Sequence, residues 1–188
     1  VSRSLINNAQ FDIVGSIVDE MAYQISRFIE NELLNGTQDK VEGLSGLSNT
    51  MASAETTGFT GDDLIDVQAL VKDAYQKDAM WIMSVATRTA IRKLKDDMGR
   101  YLLQDDISLP FGKSLLGKPV YVSDNMADGK IYYGDMTGLA TKFSENINIE
   151  VLREKYADEH AYGVIGWFEF DSKVQNEQKI ASLTLKTE

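Results

Sequence analysis

Several residue groups in this chain have types and spacings that could do chemistry. Gly112-Lys113-Ser114 has the ending of a phosphate-binding loop. That loop needs a glycine five positions before Gly112, and Ile107 stands there. Successive backbone N–H groups must wrap the phosphates, with a helix start behind them. Here Pro110 interrupts the segment and no helical pattern follows. Asp124, Asp128, Gly129 and Asp135 fall at positions one, five, six and twelve of a calcium loop. Position three is Met126, which offers no oxygen, and position twelve is Asp where a bidentate Glu is usual. Asp128-Gly129 is itself a turn signal, so the spacing predicts a hairpin between 119–123 and 130–134.

His160 is the sole histidine and follows Asp158 and Glu159. A carboxylate could orient it as a general base. A serine hydrolase would also need a nucleophile elbow, and the chain has no Gly-x-Ser-x-Gly. His160 therefore reads as a surface residue. Asp62/Asp63 and Asp105/Asp106 are paired carboxylates. Sequence neighbours diverge by about 100° on a helix, so Asp62 and Asp63 do not converge on one substrate. They read as a helix start, and the second pair as a solvated loop. Trp81, Trp167, Phe168 and Phe170 could form a binding platform, but as aromatics within β stretches they read as core. No catalytic, cofactor-binding or metal-binding residue is assigned.

Composition narrows the classes further. There are 188 residues, enough for one substantial domain or two small ones sharing a core. The formal net charge is -10, which disfavours non-specific binding to phosphate backbones. There is no cysteine, so disulfides and thiolate metal sites are excluded. No apolar run approaches the roughly 18 residues of a membrane span.

The elements that would position these groups are legible in the hydrophobic pattern. Ile13, Val14, Ile17, Val18, Met21, Ile25, Phe28 and Ile29 recur at three- and four-residue steps. They predict a long helix over 9–34, stopped at Asn35-Gly36. Gly15 is expected to weaken it by about 1 kcal/mol relative to Ala. Ile17, Met21 and Ile25 are expected to be buried against a β stretch holding Val164 and Trp167. Residues 36–59 read as loop. A second helix opens with Thr60 as N-cap and Asp62 and Asp63 in its first turn. Leu64, Val67, Leu70, Val71 and Ala74 form its apolar face. Met80 to Val85 reads as a strand leading into a helix from Thr87 to about Asp97. Residues 119–123, two stretches within 147–170, and 178–186 complete a mixed α+β pattern.

The order strand, helix, Leu94-Lys95-Asp96-Asp97-Met98-Gly99-Arg100-Tyr101-Leu102, loop, Leu116-Gly117-Lys118-Pro119-Val120, Ser123-Asp124-Asn125-Met126 resembles the major capsid proteins of tailed bacteriophages and prophages, the Hong Kong phage fold. The resemblance implies a virion protein without an active site, assembled in a bacterial cytoplasm. It implies a peripheral domain of 1–36 and 141–177, holding the long spine helix. It implies an axial domain of 37–140 and 178–188. Its partners would be further copies in pentamers and hexamers, and other phage head proteins. Packaged DNA would be enclosed but not specifically bound, with no membrane and no cofactor involved.

Family members carry an arm and an extended loop ahead of the spine helix. The chain therefore resembles the C-terminal two-thirds of such a subunit, expected to be monomeric or a small oligomer without those elements. Two other readings fit the sequence less well. One is a nanocompartment shell of encapsulin type, which shares the fold. The other is a small acidic hydrolase using carboxylates or His160.

Overall fold

A computed structural model describes residues 1–95, 98–105 and 113–186. A short helix, α1 (Arg3–Asn8), precedes the long α2 (Ile13–Asn35). The long helix begins four residues later than its periodicity suggests, because the Asp12 side chain accepts the Gly15 N–H and fixes the start there. Gly15 thus lies in the first turn, not inside the rod. A Cβ at Gly15 would sit 2.5 Å from Asp12 Oδ2, so glycine makes room for the cap. At the other end Gly36 takes φ 66° and closes the helix.

The segment 36–59 is not all loop. It holds a 3-10 turn at Gly43–Gly46 and an edge strand, β1 (Thr50–Ala52). Its strand character lies in pairing with a distant strand, which local composition does not report. The helix α3 (Gly61–Leu70) follows the predicted cap. Thr60 accepts from the Asp63 N–H while Asp63 accepts from the Thr60 N–H, a complete capping box. Strand β2 (Met80–Met83) leads directly into α4 (Val85–Arg92). The cap of α4 is Ser84, so the helix opens two residues before Thr87 and ends well short of Asp97, which lies outside the described residues.

The remaining strands are β3 (Leu103–Asp105), β4 (Lys113–Leu115), β5 (Lys118–Val122), β6 (Lys130–Gly134), β7 (Leu139–Leu152), β8 (Gly163–Val174) and β9 (Ile180–Thr184). Five of them join β1 and β2 in one mixed seven-stranded sheet, in the order β1-β9-β6-β2-β5-β4-β3. Asp128-Gly129 is a turn but not the predicted hairpin. Strand β2 lies between β5 and β6, parallel to the first and antiparallel to the second. The reason is visible in its side chains. Trp81 and Met83 enter the core on one face, while Ile82 packs against the core on the other. A strand apolar on both parities belongs in a sheet interior.

The first core lies under α3 and α4 and contains Leu64, Val67, Trp81, Met83, Ile91, Ile131, Tyr133 and Leu183. The second lies under the end of α2 and the Gly43–Gly46 turn, with Leu34, Leu44, Leu47, Tyr132 and Ile180. Strand β9 serves both cores. Ile180 enters the second, and Ala181 and Leu183 enter the first.

Strands β7 and β8 form a separate two-stranded antiparallel ribbon. Two register shifts on β7, between Phe143 and Glu145 and between Glu145 and Asn148, place extra residues in that strand. The helix α2 packs on one face of the ribbon. A Cβ built on Gly166 would lie 3.2 Å from Met21 Cε and 3.3 Å from Ile25 Cδ1. Phe28 and Phe168 meet edge to face at 6.0 Å. Ile17, Met21 and Ile25 are half-buried, not fully buried as the stripe suggests. A two-stranded ribbon is too narrow to cover the helix face completely. Trp167 lies on the opposite parity from Gly166 and Phe168, so it does not meet α2.

Candidate assembly surfaces

The residues that could do chemistry are dispersed by the fold. Lys113 and Ser114 lie in strand β4, where a phosphate loop would need a helix. Gly112, Ile107 and Pro110, and Asp106 of the second carboxylate pair, lie outside the described residues. Asp128 accepts from the Ser84 hydroxyl at 2.6 Å, and Thr87 Oγ1 accepts the Gly129 N–H at 3.0 Å. This arrangement ties the start of β6 to the start of α4. Asp135 instead accepts from Thr137 and from Lys179. Met126 is buried in the second core. Asp128 and Asp135 of the apparent calcium loop are thus engaged in separate local networks, and Asp124 is exposed.

His160 sits at φ 49° in the turn joining β7 to β8, with an exposed side chain. Its carbonyl accepts the Arg3 N–H at 2.7 Å, so its contribution is a backbone link to the start of the chain. Ser2 bridges Ala161 in the same place. Asp63 is buried and spent on the cap of α3 and on the Ala54 N–H.

Of the aromatics, Trp81 is fully buried and donates from Nε1 to the Leu115 carbonyl at 2.9 Å. Phe168 meets Phe28 edge to face and stacks on Phe170. Trp167 departs from the core reading, with 36% of its surface exposed on the outer face of the ribbon. Ile165 shares that parity, and Ile147 in the bulged strand is also exposed. Glu145 and Glu169 stand directly opposite each other in the same ribbon. Like charges in that position repel, so the pair is no stabiliser of the isolated ribbon. The sequence held this signal in the alternation of Ile165 and Trp167 with residues 164, 166 and 168. Only the position of α2 decides which parity faces out.

Further large apolar side chains are exposed elsewhere. Phe11, Tyr23 and Phe28 lie along or just before α2, and Ile65 on α3. Val85 lies on α4, and Met98 and Tyr101 follow that helix. A cleft of about 550 Å³ lies between the 36–42 turn and β8, and its lining residues are mostly polar, among them Thr37, Lys40, Glu42 and Ser172. It contains the exposed Lys173–Glu42 ion pair at 3.2 Å. Among the described residues no helix is long and apolar enough to cross a membrane. The molecule's distinctive features are therefore exposed apolar faces and strand edges spread over both sheets. Such features suit contacts with other chains better than a small-molecule site.

The comparisons with known proteins agree with that geometry. The model of the phage capsid family matches residues 1–185. No curated protein matches the chain. Among solved structures, the capsid of a native GTA particle is similar at TM-score 0.81 and 22% identity, covering 100% of this chain and 70% of that one. Mycobacterium phage Cain is similar at 0.71 and 13%, with coverage of 100% and 70%. The SrpI encapsulin from Synechococcus elongatus PCC 7942 is similar at 0.70 and 14%, with coverage of 98% and 70%.

Proposed function

From the premise that this chain belongs to the phage capsid family, we infer how its parts work in a shell. The protein is a major capsid subunit, and its function is to build a shell from copies of itself. Residues 1–36 and 141–177 act as the peripheral domain, and 37–140 with 178–188 as the axial domain. Loops of the axial domain, including parts of 101–118 and 124–138, meet around five- and six-fold rings. Peripheral domains meet between rings. A heterologous contact of this kind closes into a ring when its rotation closes, so one patch serves both ring sizes with small adjustments. The shell is the head of a virion, built in the bacterial cytoplasm with other head proteins. DNA is enclosed without specific contact, as the net charge of -10 favours. The subunit performs no catalysis.

The observation that carries this reading is the family match over nearly the whole chain. The uncovered outer face of the ribbon, with Trp167 and Ile165, supports it as surface left for neighbours. Electron microscopy of the purified assembly tests it. Closed shells or ring-shaped capsomers are expected. A monomer with measurable hydrolase turnover would overturn it. The likeness to an encapsulin favours a second reading, a nanocompartment shell around enzyme cargo. Co-purification of a cargo enzyme instead of DNA would support that one.

A further inference from the structure

We propose that the Asp135–Lys179 pair is an acid-sensitive clamp that sets the angle between the two-stranded ribbon and the seven-stranded sheet. The ribbon leaves the large sheet after β6, through Gly134–Leu139, and returns through 174–180 into β9. Both passages meet at one neck. The Asp135 N–H donates to the Lys179 carbonyl at 3.0 Å, and the N–H groups of Gln175 and Asn176 both donate to the Gly138 carbonyl. Across this neck Lys179 Nζ lies 3.1 Å from Asp135 Oδ2 and 2.7 Å from Thr137 Oγ1. Only 22% of the Lys179 side chain and 13% of the Asp135 side chain reach solvent. The approach is close enough to require glycine. A Cβ on Gly134, at φ 144°, would lie 2.1 Å from the Lys179 carbonyl oxygen.

Of the carboxylates near this neck, Asp135 is the one that Lys179 and Thr137 both bind. Lys179 also lies over the Tyr75 ring at 5.2 Å, which anchors it to the large-sheet side. On its own 3-10 turn, Glu177 is engaged by the Ser48 hydroxyl and lines a cleft with Lys72. Asp73 starts the turn that holds Tyr75. Thr137 binds the Asp135 carboxylate through both its N–H and its hydroxyl. Protonating Asp135 removes the charge that holds Lys179 and leaves the backbone links in place. The second core, with Leu139 and Val174 packed at its edge, keeps the neck assembled. The expected result is a wider range of ribbon angles, not detachment. In a shell that angle bears on curvature. This consequence rests on the capsid reading, while the clamp itself is a property of one chain.

The test measures one chain and so is independent of assembly. The sequence has no cysteine, so Ala69→Cys on α3 and Glu169→Cys on β8 give a unique spin-label pair at exposed positions. The wild-type clamp should give one narrow inter-label distance at neutral pH and a broadened one at about pH 3. Asp135→Asn should be broadened already at neutral pH and should not respond to acid. Lys179→Met should behave the same way, with near-ultraviolet circular dichroism verifying a folded core in each. A narrow neutral-pH distance in both variants would overturn the proposal. So would an unchanged acid response in Asp135→Asn.

Discussion

Single residues carry two of the clearest expectations. Burial alone would push the Asp135 carboxyl up. The Thr137 N–H and hydroxyl and the Lys179 ammonium outweigh it, and its pKa falls below the ordinary 3.8. A depressed folded-state value means a stabilisation fully present above the ordinary value and lost as pH falls through the folded one. Asp135→Asn should therefore lower stability at neutral pH and flatten the acid limb of the stability curve, as urea titrations across pH would measure. At Trp81 the cause is packing. The ring is fully buried, lies 4.4 Å from Tyr133 by centroids and uses its Nε1 on the Leu115 carbonyl. Trp81→Ala leaves a cavity and an orphaned acceptor, and should cost about 3–5 kcal/mol in chemical denaturation.

At the scale of elements, the contact between α2 and the ribbon depends on one small residue. Met21 and Ile25 reach over Gly166 with no side chain between them. Gly166→Leu forces the helix off the ribbon and should destabilise by about 1–3 kcal/mol through overpacking. Hydrogen exchange should show β8 amides losing protection before those of β2 and β9. Equal loss in all three strands would mean that the ribbon and the large sheet unfold as one unit. The far end of α2 is held differently. The Tyr132 hydroxyl donates to the Leu34 carbonyl at 3.0 Å, and Asn35 donates to the Asn125 carbonyl at 2.8 Å. One helix thus spans from the ribbon to the second core, which gives the two sheets a shared brace beside the neck.

For the whole molecule, charge and uncovered apolar surface act in opposite directions. A net charge of -10 makes copies repel at low ionic strength. Trp167, Ile165, Ile65 and Val85 remain as surface to be buried between copies. Self-association should therefore strengthen as salt screens the charge, which light scattering against ionic strength would measure. Association that weakens with salt would mean that ion pairs dominate the contacts. Trp167→Ser should lower association and should cost the single chain less stability than Trp81→Ala, since Trp81 is fully buried and Trp167 is partly exposed.

The sequence by itself determined the local elements. Periodicity marked the long helix, Thr60 with Asp63 marked the start of α3, and the motif from Leu94 to Met126 marked the family. Each depends on neighbours a few residues apart. The tertiary structure alone decided three things. It placed β2 between β5 and β6, because burial of both strand faces outweighs the short turn at Asp128-Gly129. It made a strand of Thr50–Ala52, whose partner lies at Ser182–Thr184. It also turned Trp167 outward, because alternation shows that the faces of β8 differ but not which one α2 covers. These outcomes rest on contacts between distant segments, whose register no local pattern contains.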